Sequence, residues 1–450
     1  MSLRDRKAIR AFRHRNYRLF FGGQLVSLIG TWVQQVAQAW LVLVLTDDAF
    51  WLGLVAAAQF LPSLALGLFG GVVADALPKR RTLIAAQVVM MILAITLAVL
   101  TFTGVVEVWM ILVLALLLGC ANAVDMPVRQ SFVVEIVGRG DIGNAILLNS
   151  AMFNSARVVG PAIAGLTIGA FGPATAFAVN AVSYLAVLAG LGAMRESELR
   201  TPEGIVRPHN RGEVMAQLRE GLRYVRQTPP VLLAIVVLGL VATVGMNFQV
   251  AIPVVAREFL GSDASGFGFL MAASGLGSVA AAVWLAVSGG LPRHNRLIGG
   301  ALLLGVGELA LAVSNLFPVS LLLMFLIGAG GIAMAATANT MIQLNVPDAL
   351  RGRVMSVFTT VFAGSSPIGG IFIGTVASTA GIAIAIALGG GLAVLVALGA
   401  LLWVRRQPGF VAVPAGAGRA QRPPASRPNA ERVEGAALAD AIVPTSSRPR

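Results

Sequence analysis

The chain has 450 residues, 57% of them hydrophobic and only 12% charged, and Lys and Arg outnumber Asp and Glu to leave a formal charge of +13. Soluble globular domains carry about 25% charged residues, so the composition excludes a soluble enzyme or binding domain and predicts a helical chain that crosses the bilayer many times. A single cysteine, Cys120, excludes an intramolecular disulfide and leaves no thiolate metal cluster.

In chain order, the basic start "MSLRDRKAIRAFRHRNYRLFF" runs into a long apolar stretch with no small-residue cleavage site, so a cleavable signal is not expected. Breaks at Gly, Pro and charge clusters predict twelve spans. Six lie near 17–45, 51–76, 82–103, 107–126, 143–169 and 173–194. Six more lie near 230–256, 264–290, 296–314, 318–343, 353–378 and 382–404. The expected organisation is a basic cytoplasmic N-terminus over 1–16, a six-helix bundle over 17–194 and a polar linker over 195–229. A second bundle over 230–405 and a tail over 406–450 complete it. The tail, rich in Pro, Ala, Ser and Arg, is expected to be disordered.

Charge orients the spans. With twelve of them, 31 of the 33 basic residues fall on one side of the membrane; Arg157 sits inside a span and Arg257 on the other side. The positive-inside rule then places both termini in the cytoplasm. That distribution assigns the positive charge to topology, and no nucleic-acid partner is expected.

Polar residues inside spans are expensive and mark function or helix pairing. In the first span, Gln24, Ser27, Thr31, Gln34, Gln35 and Gln38 recur at steps of three and four, along one helical stripe. The stripe reads either as one wall of a hydrated substrate pathway or as hydrogen bonds that only hold helices together. In "LLNSAMFNSARVVGPAIAG", Asn149, Asn154 and Arg157 bring amides and a cation to mid-depth of the fifth span. Arg157 reads as an attractor for an anionic substrate or a carboxylate, or as a buried structural pair. Asn247 joins the pathway candidates, with Met152, Phe153, Met246 and Phe248 as lipophilic neighbours. The acidic candidates for proton coupling are Asp125 and Glu308.

The halves echo each other. "ALPKRRTL" at 76–83 matches "GLPRHNRL" at 290–297, and Ser150 precedes Pro161 by the same eleven residues that separate Ser356 from Pro367. A parallel six-plus-six repeat places a substrate site at the midplane between halves. Here the chain resembles a known superfamily. "GGVVADALPKRRTL" is similar to the loop signature of the major facilitator superfamily, with Ala76 and Pro78 where a basic residue and a glycine are usual. The stretches around "NAVDMPVRQSF" and "VPDALRGRVMSV" resemble the branch containing the enterobactin exporter and macrolide-efflux proteins. The resemblance implies the all-α major facilitator fold. It also implies a cytoplasmic gating cluster of Gly71, Asp75, Lys79, Arg80 and Arg129, and an antiporter-like motif at Gly160, Pro161 and Gly165.

The two lysines, Lys7 and Lys79, follow Arg6 and Pro78, so no phosphate loop exists to bind ATP. The three histidines, His14, His209 and His294, have no metal-ligand spacing. No cofactor, metal or enzymatic activity is expected. The leading expectation is a monomeric secondary exporter of a drug-like or siderophore-like molecule in the bacterial inner membrane, exchanging it for protons. An importer or lipid-linked flippase on the same fold, and a non-transporting sensor or scaffold, are the alternatives.

Overall fold

The computed structural model describes residues 7–200, 211–288 and 294–407, without the side chains of residues 7–8, 66–76, 211–218 and 348–349. The expected basic segment before residue 7, the middle of the linker and the expected tail beyond residue 407 lie outside the described residues. A short 3-10 helix, Lys7–Arg13, precedes α1 (Arg15–Thr46), α2 (Ala49–Ala76), α3 (Lys79–Phe102), α4 (Val108–Val137), α5 (Ile142–Phe171) and α6 (Pro173–Gly192). After α7 (Arg211–Gln227) come α8 (Pro229–Gly245), α9 (Phe248–Val254) and a π turn, Val255–Phe259. The chain continues through α10 (Ala264–Val287), α11 (His294–Leu311), α12 (Phe317–Asn345), α13 (Asp348–Ala380) and α14 (Ile382–Arg405).

Nine segments among the described residues are long and apolar enough to cross a membrane: α1, α3, α4, α6, the run from α8 through the π turn, α10, α12, α13 and α14. α2 adds a shorter apolar stretch, Ala49–Ala65. α5 and α11 fall below that standard because polar residues interrupt them, Arg157 in one and Glu308 in the other.

Helices α1–α6 pack among themselves, as do α8–α14, and the two sets meet where α2 crosses α13 and α5 crosses α10. Lipid is as apolar as leucine, so close backbone approach between small residues holds such helices together. A Cβ built on Gly23 would lie 2.7 Å from the Ala186 carbonyl oxygen, and one on Gly305 would lie 2.7 Å from that of Gly390. The repeat also shows in the turns. A single residue joins α5 to α6 and another joins α13 to α14; these are Gly172 (φ 81°) and Gly381 (φ 91°). With ψ at 168° and 154°, both occupy backbone space essentially reserved for glycine.

One expectation needs correction and two gain detail. The fourth span does not end near residue 126: α4 continues through Pro127 to Val137, burying Val128, Phe132, Val133 and Ile136 on its last turns. Membrane helices tolerate proline because neighbours satisfy the freed backbone, and Arg129 is therefore a helix residue, not a loop residue. The linker holds the helix α7, tied to the second half by Tyr224 donating to the Asn345 carbonyl at 2.7 Å and by the Arg353–Glu220 ion pair. The seventh span is discontinuous. Met246 and Asn247 leave helical geometry between α8 and α9, with ψ of 22° and 50°.

Candidate functional site

The contacts between halves gather on the face away from the basic loops. A Cβ on Gly268 of α10 would lie 2.5 Å from the Pro161 carbonyl of α5, and one on Gly374 of α13 would lie 2.8 Å from the Ala49 carbonyl of α2. Trp40 stacks on Phe267 with ring centroids 6.3 Å apart. At the rim, Arg257 pairs with Asp47 at 3.0 Å and donates to the Leu43 carbonyl at 3.1 Å, clasping the end of α1 to the π turn. Ser265 donates to the Gly165 carbonyl at 3.2 Å.

Beneath this closure lies a small cavity of about 20 Å³ between α1, α2 and α9, room for a water molecule in this closed state. Its polar lining consists of four amides, Gln35, Gln38, Gln59 and Gln249, set among Val42, Leu52 and Val55. Gln249 donates to Gln35 Oε1 at 2.9 Å, a hydrogen bond from the second half to the first. Amides both donate and accept, so this wall offers a small molecule mixed polar and apolar contact.

The amide stripe of the first span divides. Gln34 accepts from Asn180 Nδ2 of α6 at 2.6 Å, Gln24 accepts from Arg129 at 3.0 Å, and Thr31 donates to the Ser27 carbonyl at 2.9 Å. Gln24, Ser27 and Gln34 are buried within the first half. Of the stripe, Gln35 and Gln38 reach the space between halves. The sequence reading missed Gln59 and Gln249. Gln59 is a lone amide in an apolar stretch and Gln249 follows Asn247 by two residues, so neither belongs to a periodic polar stripe.

On α5, Asn149 accepts from the Tyr17 hydroxyl at 3.0 Å, and Asn154 donates to the Ser150 carbonyl of its own helix at 2.8 Å. Arg157 is half-buried and has no hydrogen-bond or ion-pair partner among the described residues. Its carbonyl lies against Gly275 of α10, where a Cβ would stand 2.9 Å away. Gly160 sits under Trp32 of α1, and Gly165 and Pro161 both meet Gly268. At these three motif positions, as at Gly169 beside Ser265, α5 packs closely on its neighbours. Asn247 donates to the Thr243 carbonyl at 2.8 Å and holds the end of α8 beside the break.

The two acidic candidates sit in opposite surroundings. Asp125 is buried, accepts from Gln87 Nε2 at 2.9 Å and faces Arg129 Nε at 3.4 Å. Glu308 is buried in the second half, and its Oε2 has no hydrogen-bond partner among the described residues. The gating residues are distributed: Lys79 pairs with Glu135, Arg80 with Glu196, and Arg129 with Asp125. Gly71 and Asp75 lie in the part of α2 whose surroundings are not described.

At the start of α5, Asp141 collects Arg10 at 3.1 Å, Arg13 at 2.8 Å and His14 at 2.8 Å, fastening the 3-10 helix to the bundle. Burial alone would raise the Asp141 carboxyl, but the His14 hydrogen bond and the Arg13 and Arg10 charges outweigh it and hold the carboxyl below its usual range.

A discontinuous seventh span, glycine-paired crossings and an amide pocket between two packed sets of helices make this a polytopic helical membrane protein. Its fold is shared with a bacterial homologue of the human lysosomal transporter Spinster in an inward-facing and occupied conformation. The TM-score is 0.69 and the identity 13%, over 87% of this chain and 97% of that one. Residues 7–423 match the family of transmembrane secretion effectors, and the chain belongs to that family. It is 28% identical to the multidrug efflux pump Tap of Mycolicibacterium fortuitum, covering 80% of this chain and 88% of the pump. It is 25% identical to the staphyloferrin A transporter of Staphylococcus aureus, covering 81% and 90%.

Proposed function

We propose that the protein is a secondary active exporter that exchanges a drug-like or siderophore-like molecule for protons by alternating access. The amide-lined space at the seam between halves is the observation that carries this reading. A polar wall between the halves, closed on one face by the Arg257–Asp47 clasp, is what a substrate site between two rocking bundles requires. The likeness to an efflux pump and a siderophore transporter supports the substrate class.

In this reading the bundles are residues 17–194 and 230–405, joined by the linker 195–229, with both termini cytoplasmic in a bacterial inner membrane. The protein works as a monomer. Gln38, Asn149, Asn154, Arg157 and Asn247 flank the route, with Gln35, Gln59 and Gln249 at its closed end. Gln24, Ser27, Thr31 and Gln34 stiffen the α1 wall from behind. Arg157, a cation in a span with no partner among the described residues, favours substrates with an anionic group. One proton moving down 100 mV supplies about 2.3 kcal/mol, enough for roughly fifty-fold accumulation per charge.

Everted vesicles from cells overproducing the full chain test this. Imposing a proton gradient should drive uptake of ethidium or of a carboxylate-bearing siderophore. Arg157→Ala should abolish uptake of the anionic compound while membrane insertion is unchanged. Gradient-independent flux of every compound tried, or full anionic uptake by Arg157→Ala, contradicts the reading.

A further inference from the structure

One stripe of α5, through Ile146, Ser150, Phe153, Arg157, Pro161 and Ala164, follows the helix at steps of three and four. Away from the basic loops the stripe is closed: Ala164 is fully buried and Pro161 lies against Gly268 of α10. Toward the basic loops it is open, with Ile146 55% and Phe153 47% exposed. Arg157 stands half-buried at the change, its carbonyl against Gly275 of α10. One face of α5 therefore meets the second half beyond Arg157 and parts from it before Arg157.

α1 brings an aromatic ring to this level. Trp32 meets Phe153 edge to face, with ring centroids 5.9 Å apart and planes at 68°. Gly160 admits it: a Cβ there would stand 2.4 Å from the Trp32 Cβ, so a larger residue would push the indole out of place. Trp32 lies one helical turn before Gln35, which accepts from Gln249 across the seam at 2.9 Å. The aromatic pair is thus a shelf one turn below the amide pocket, open where Phe153 is exposed.

The charge on this shelf is unmatched. α1, α5 and α10, the helices that meet there, hold no acidic residue. Neither the Arg157 guanidinium nor the Trp32 indole N–H has an acceptor among the described residues. A guanidinium inside a span without a counter-charge is costly, and a carboxylate matches its planar fork through two parallel bonds. An aromatic pair accepts a third ring in offset or edge contact, and a ring beside the guanidinium gains cation–π attraction. A flat aromatic acid satisfies the charge and the rings together, whereas an aliphatic acid satisfies the charge alone.

We infer that Trp32, Phe153 and Arg157 form a binding subsite for aromatic carboxylates, with the ring against the Trp32–Phe153 pair and the carboxylate on the Arg157 guanidinium. The subsite rests on the exporter reading for its purpose, but its occupancy is measured with no gradient and no flux. Equilibrium dialysis against the purified full chain in lipid nanodiscs, with empty nanodiscs subtracted, provides the test. The probes are naphthoate, its fully saturated analogue and neutral naphthol.

The native chain should bind naphthoate saturably and more tightly than either analogue. Arg157→Ala should weaken naphthoate roughly tenfold or more and leave naphthol unchanged, with Arg157→Lys keeping part of the affinity. Trp32→Leu should weaken naphthoate roughly two- to tenfold and narrow its preference over the saturated acid, a preference that Trp32→Phe keeps. Equal binding of naphthoate and the saturated acid by the native chain overturns the subsite. So does naphthoate binding that is unsaturable, or that Arg157→Ala leaves unchanged. An exporter whose naphthoate affinity ignores Arg157 and Trp32 loses only this inference, whereas a chain that binds naphthoate as expected and carries nothing loses only the exporter reading.

Discussion

Asp125 and Glu308 are both buried acids in membrane helices, one in each half, and their surroundings assign them different work. Asp125 has Gln87 and Arg129 within reach, so its charge is matched and its lone pairs are used. Glu308 has apolar side chains, three nearby glycines and an oxygen with no partner. A matched acid is a fixed part of the packing; the unmatched one keeps an oxygen without a partner among the described residues. The first half therefore reads as the rigid member of the pair, cross-linked by Gln24–Arg129, Gln34–Asn180 and the Asp141 cluster. The second carries the broken helix and the buried carboxyl whose Oε2 has no partner among the described residues.

The strongest way to break this comparison is Asp125→Asn. Removing the charge leaves Arg129 facing a neutral amide, and we expect a loss of about 1–3 kcal/mol in stability with proton-driven transport retained. Thermal unfolding in detergent and vesicle transport measure the two effects. A variant that folds like the native chain but no longer responds to the proton gradient would transfer the coupling role to Asp125.

Asp141 sharpens the same contrast with a smaller effect. Its carboxyl is held below the usual range, so the stabilisation it supplies is complete at neutral pH and is lost as pH falls through that lowered value. Thermal midpoints should fall more steeply with acid in the native chain than in Asp141→Asn, with the two converging at low pH. Parallel curves would mean that the 3-10 helix is held by Ala11–Asn144 and its apolar contacts instead.

Much of this architecture was legible in the sequence because the bilayer enforces it: apolar length and basic loops place helix ends to within a few residues. α5 was expected over 143–169 and spans Ile142–Phe171, and α14 was expected over 382–404 and spans Ile382–Arg405. Breaks inside spans were not legible. Pro127 looks like a stop and is carried within α4, whereas Met246 and Asn247, neither of them proline or glycine, interrupt a helix. The difference lies in tertiary packing: Gly369 of α13 presses directly on Thr243 and Asn247, while the last turns of α4 bury a continuous apolar face.

The amide stripe shows the same limit. Periodicity told that Gln34 and Gln38 share a side of α1, but a helix side is wide enough for two neighbours. Gln34 meets Asn180, and Gln38 meets the seam. Gln249 was hidden because it stands two residues after Asn247, a spacing that belongs to no helical stripe.

Aqueous thiol labelling tests the central claim, a water-accessible seam between α1, α2 and α9, most directly. In a Cys120→Ala background, cysteines at Gln38 and Gln249 should react in at least one conformational state, with substrate slowing both, while a cysteine at Gln34 stays protected. Failure of both seam positions to react in any state, or equal reaction at Gln34, would contradict it.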